Sequence, residues 1–94
     1  MRYLVIERFT GGAAAVYERA AARGRMLPDG LVYLDSWIVD EDPIARCFQL
    51  METEDPSLFG AWIAEWADIV DVEVLPVLSS AEAAARVGRA APEG

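Results

Sequence analysis

The chain predicts an α+β fold in the order β-α-β-β-α-β, with a four-stranded antiparallel sheet and two helices on one face. Three observations predict it. Four short β-rich segments, Arg2–Phe9, Leu31–Val39, Ile44–Glu52 and Val72–Val77, are interleaved with two helical stretches. The acidic turn Asp40-Glu41-Asp42-Pro43 is short enough to make the second and third segments a hairpin. The strands carry large apolar residues at both parities, whereas two helices can cover only one face of such a sheet.

The first strand centres on Tyr3-Leu4-Val5-Ile6, with Leu4 and Ile6 on one face and Tyr3, Val5, Glu7 and Phe9 on the other. Thr10-Gly11-Gly12 breaks it and opens a helix from Ala13 to about Arg25, rich in Ala, Glu and Arg. Small residues on the stripe Val16, Ala20, Gly24 and Leu27 predict close approach of that helix to the sheet. Pro28 and Asp29-Gly30 stop it. The second strand places Val32, Leu34, Ser36 and Ile38 opposite Leu31, Tyr33, Asp35, Trp37 and Val39. The third alternates Arg46, Phe48 and Leu50 with Cys47, Gln49 and Met51.

Asp55-Pro56 reads as a helix start, a capping carboxylate followed by Pro at the first helical position. The helix Ser57–Val70 presents Leu58, Phe59, Trp62, Ile63, Trp66, Ile69 and Val70 on a wide apolar face. Pro76 suits the last strand to a sheet edge. Ser79-Ser80-Ala81-Glu82 matches a capping box opening a short helix to about Val87, which Gly88 ends. Residues 1–87 thus form one domain, and 88–94 a flexible tail.

Right-handed crossovers and the hairpin place the first strand between the third and fourth. The sheet order is 4-1-3-2, a ferredoxin-like arrangement. On this reading the helix side takes Leu4, Ile6, Val32, Leu34, Ile38, Phe48 and Leu50. The open face carries Tyr3, Val5, Phe9, Tyr33, Trp37 and Met51, with Glu7, Asp35 and Gln49 interspersed. So much apolar surface calls for cover. Two sheets packed face to face form a dimeric α+β barrel, and the space enclosed between them is where a small ligand would sit.

Composition narrows the functions. The 94 residues are 54% hydrophobic, above the usual apolar content, which points to self-association or a buried ligand. A net charge of −8 repels phosphate backbones and anionic membranes, so neither nucleic acid nor membrane is an expected partner. Met1 leads straight into a strand with no signal-like segment, and no apolar run approaches the roughly 18–20 residues of a membrane span. A cytoplasmic protein is expected. One cysteine, Cys47, cannot form an intrachain disulfide.

Histidine is absent, which removes the commonest general base and metal ligand and excludes Ser–His and Cys–His nucleophiles. No metal or cofactor is expected: the acidic turns lack the spacing of a calcium loop, and Gly11-Gly12 lacks that of a phosphate loop. Cys47 reads as a small core residue, since Arg46 points to the opposite face. Trp62 and Trp66, four apart on one helix, read as core or interface anchors.

The open-face set is then the candidate site. Glu7 or Asp35 can act as base, because a carboxylate in an apolar cavity holds its proton more tightly, and Tyr33 or Gln49 can steady an oxyanion. Tyr33, Trp37 and Gln49 can hold a planar ligand. The competing reading is a dimer interface whose polar groups hydrogen-bond one another.

The segments Gly24-Arg25-Met26-Leu27-Pro28-Asp29-Gly30-Leu31, Asp35-Ser36-Trp37 and Arg46-Cys47-Phe48-Gln49-Leu50-Met51-Glu52, with Trp62, Trp66 and Val74-Leu75-Pro76, resemble a bacterial domain-of-unknown-function family, DUF3303. The resemblance runs from about Met1 to Val87. By strand order the chain is also similar to the dimeric α+β-barrel group, which includes small monooxygenases, isomerases and stress-response proteins. That resemblance implies a homodimer binding a small planar or apolar molecule, or a cofactor-free isomerase or monooxygenase. It brings no catalytic residue with it.

Overall fold

Four seven-residue strands, β1 (Arg2–Arg8), β2 (Val32–Ile38), β3 (Arg46–Glu52) and β4 (Asp71–Val77), form one antiparallel sheet in the order β2-β3-β1-β4. The helices are α1 (Ala13–Arg23), α2 (Leu58–Ala64) and α3 (Ser80–Val87). The structure is a computed structural model describing residues 1–89. Element order and strand order are those the sequence predicts, a ferredoxin-like α+β fold. The hairpin link is longer than the predicted four residues: Val39 to Ala45 connects β2 to β3, with the Val39 amide bonded to the Arg46 carbonyl at 3.1 Å.

In β1 and β3 the face that meets the helices is the opposite of the one predicted, while Ile38 of β2 is on the helix side as predicted. Val5, Phe9, Cys47 and Met51 are buried in one cluster with Leu31, Phe59, Trp62, Trp66 and Val70. Tyr3 packs its ring against Phe59 at 5.1 Å. Leu4, Ile6, Phe48 and Leu50, expected beneath the helices, lie on the open side and are half-buried. The physical reason is parity. A period of two sorts residues into two sets without saying which set meets the helices, and here both sets are large and apolar.

In β2 the parity itself changes. A bulge at Leu34 pairs Tyr33 with Met51 but Asp35 with Leu50. Tyr33, Ser36 and Ile38 therefore share the helix face, while Asp35 and Trp37 share the open one. Of the predicted open-face set, only Asp35 and Trp37 are on it.

Helix α2 is shorter than predicted, because the chain tightens after Ala64 into i→i−3 bonds, such as Glu65 to Trp62 and Trp66 to Ile63. Its apolar spacing survives the tightening: Phe59, Trp62, Trp66 and Val70 are all buried. Asp55 holds the start of this segment, accepting from the Ser57 amide at 3.1 Å and its hydroxyl at 2.6 Å.

Helix α3 has both halves of the Ser79–Glu82 capping box and a left-handed Gly88 at its end, as predicted. It returns beside the open face, where Glu82 shares a surface depression with Arg2 and Val77. Of the tail predicted over 88–94, residues 90–94 lie outside the described residues.

Candidate functional site

The stripe of small residues on α1 meets the sheet only in part: Val16 and Ala20 pack against the buried cluster. Both are only half-buried, and α1 has no fully buried residue. Between that stripe and the sheet lies a cleft of about 270 Å³. Small side chains on a helix held off by its neighbours leave space beneath it. Its walls are Val16 and Ala20 above, Phe9 and Ile38 from the sheet side, and Trp66 beyond α2. Tyr17 and Arg25, both exposed, stand at its rim and leave it reachable from solvent.

The floor is polar. Glu7 of β1 and Gln49 of β3 are 5% and 6% exposed, and the Gln49 amide donates to the Glu7 carboxyl. Burial raises the Glu7 carboxyl above its usual 4.5; the bonds from Gln49 and Cys47 and the charge of Arg25 oppose the rise without cancelling it. Cys47, directly opposite Glu7 in the β1–β3 register, is pushed up to about 12 by burial and by the neighbouring carboxyl. It is a neutral thiol, as its reading as a core residue requires. No buried side-chain nitrogen or oxygen among the described residues lacks a partner.

Arg25 is the cation at this site. Its guanidinium lies 3.6 Å above the centre of the Tyr33 ring, and its Nε is 3.5 Å from the Gln49 oxygen. Two tryptophans set that position. The indole nitrogens of Trp62 and Trp66 both donate to the Arg25 carbonyl, at 2.9 and 3.1 Å. The backbone around it turns through positive φ at Gly24 (68°) and Met26 (59°). Methionine rarely adopts that conformation, so the two indole bonds hold a strained loop beside the cleft. Arg19 of α1 clamps the other side of Trp66. It lies 5.6 Å from that ring and makes a two-point pair with Asp68, both bonds 2.7 Å.

The predicted site is thus divided. Glu7 and Gln49 meet in the cleft. Tyr33 is on the same face, supporting Arg25 and bonding Ser36 through its hydroxyl at 2.7 Å. Asp35 and Trp37 point away from them, from the far side of the sheet, and Trp37 is 54% exposed. Arg25 and Ser36 were not singled out from the sequence, and Trp66 only as an anchor. The contacts that place Arg25 come from residues 37 and 41 positions away, so no local spacing betrays them. Among the described residues no group of three or more His, Cys, Asp or Glu side chains is placed to hold a metal ion. Likewise no helix among them is long and apolar enough to cross a membrane.

No curated protein matches the chain. A family model described as "Domain of unknown function (DUF3303)" matches residues 1–91, nearly the whole length that forms the sheet, its helices and the cleft, and the chain belongs to that family.

Proposed function

We propose that this domain is a small-molecule binding protein of the cytoplasm that works as a homodimer, each chain holding its ligand in the cleft beneath α1. The observation that carries the reading is the Glu7–Gln49 pair, a buried polar end at the bottom of a cleft with largely apolar walls and Arg25 at its rim. Apolar walls with a few converging polar groups are the usual form of a ligand site, and 270 Å³ suits a ligand smaller than a drug-sized one. The reading replaces the inter-sheet cavity expected from sequence with a site inside each chain.

The dimer rests on the open face. Cross-strand pairing sets Trp37, Phe48 and Ile6 in one row and Leu50, Leu4 and Leu75 in the next. Charges of both signs border these rows: Arg46, Arg8 and Asp71 at one end, Glu52 and Arg2 at the other. An apolar centre with a mixed-charge rim is the anatomy of a self-complementary interface.

Trp66 reports on the cleft. Titration with phenol is expected to shift its indole signal in nitrogen-15 spectra, with Ala20→Phe, which fills the cleft, abolishing the response. An unchanged response in that variant would remove the cleft as the binding site.

A second reading is a cofactor-free isomerase or monooxygenase with Glu7 as proton carrier. Its favouring observation is the raised carboxyl at the floor of a cleft reachable from solvent. Glu7→Gln would then abolish turnover while sparing binding; turnover that survives the substitution excludes it.

A further inference from the structure

The chemistry of the cleft selects among ligands. Glu7 and Arg25 are the charged side chains that line it. The one is buried, and that burial raises its carboxyl above the usual 4.5; the other is exposed at the rim. Among the described residues the Arg25 guanidinium makes no ion pair, and its single hydrogen bond is the 3.5 Å contact from Nε to Gln49. Stacking on Tyr33 occupies one face of the guanidinium and leaves the edge of its two terminal nitrogens free. That edge is a fork matched to a carboxylate. The two indole bonds to the Arg25 carbonyl fix where the side chain starts, so less freedom is lost when it engages an anion. The rings of Phe9 and Trp66, with Ile38, line the same cleft as Arg25.

We propose that the cleft binds a small planar carboxylic acid as its anion, with the carboxylate on the free edge of Arg25 and the ring against Phe9, Ile38 and Trp66. This rests on the cleft being the binding site and adds the class of ligand. The overall charge of −8 does not oppose it at close range, because surface carboxylates more than about 8–10 Å away are screened at ordinary salt. Glu7 is the one carboxyl among the described residues that line the cleft. In its acid form it does not repel the ligand, and ionised it does.

The titratable groups around Glu7 are Arg25 from the loop, Cys47 from β3 and Tyr17 from α1; the segment after α2 contributes Trp66, which does not titrate. Affinity for a carboxylate therefore falls as pH rises through the Glu7 titration. A ligand that stays ionised above about pH 5 isolates that effect.

The test uses the full chain and three probes of one size: benzoate, benzyl alcohol and benzylamine. Each is followed by nitrogen-15 spectra that resolve the Trp66 indole and the Gln49 side-chain amide. Benzoate is expected to shift both signals and to bind at least ten-fold more tightly than benzyl alcohol, the range of a charge-assisted hydrogen bond. Arg25→Gln keeps the carbonyl that the indoles hold. It should lose that ten-fold preference while its own spectrum stays folded. Benzyl alcohol binding as tightly as benzoate, or benzylamine binding best, would overturn the ligand class and leave the cleft standing as a site. If none of the three moves the Trp66 or Gln49 signals, the cleft reading fails along with it.

Discussion

At the residue scale two positions decide most. Gly11 donates its amide to the Ile69 carbonyl at 2.9 Å, and a Cβ built there would fall 2.6 Å from the Ile69 Cγ2. Gly11→Ala must displace the Ile69 backbone or the first turn of α1. It is expected to cost about 1–3 kcal/mol, read as a lower urea midpoint at unchanged slope. Glu7 carries a pH signature. Its folded-state carboxyl titrates above the usual 4.5, so between 4.5 and the folded value the native chain holds a proton the unfolded chain has released. Stability falls as pH rises through that window and is flat on either side for this group. Asp68 works in the other direction: bonded to Arg19 and lowered to about 2, it loses its contribution as pH falls below its usual 3.8. Glu7→Gln isolates the first effect. The variant should gain on the parent as pH rises above 4.5 and show a constant difference below it, measured by urea unfolding across pH. A difference that does not change with pH would mean the carboxyl is not held in its acid form.

At the scale of elements, the loop after α1 depends on a segment far from it in sequence. Trp66→Phe keeps the ring in the core and removes one of two donors to the Arg25 carbonyl. The expected cost is about 1 kcal/mol, with a larger effect on any ligand held by Arg25 than on thermal stability. Comparing the unfolding midpoint with benzoate affinity checks this. Element identities were legible in the sequence because the signals are local: alternation for strands, Asp55-Pro56 and the Ser79–Glu82 box for helix starts, Gly88 for a stop. The assignment of sheet faces was not, since both parities of β1 and β3 are apolar and the bulge at Leu34 has no mark in the sequence. The candidate site was half legible for the same reason. Glu7 and Gln49 share a parity and were grouped correctly; Trp37 and Asp35 were added to them by a parity that the bulge breaks. The space under α1 was missed because Ala20 and Gly24 are equally consistent with close packing and with a void.

At the scale of the whole molecule, the two faces of one sheet carry different work. The helix face holds the cleft, and the open face holds the rows from Trp37 to Ile6 and from Leu50 to Leu75, where the proposed dimer would form. Phe48→Glu places a charge in the middle of the first row, away from the cleft. It is expected to shift the protein to a monomer by light scattering while leaving Trp66 in its native environment. The measurement that tests the division most directly is native mass spectrometry of the full chain at saturating benzoate. A site inside each chain gives a dimer that takes up two ligands. A dimer that saturates at one ligand would place the site between the sheets, and an unliganded or monomeric species would contradict the account of one face or the other.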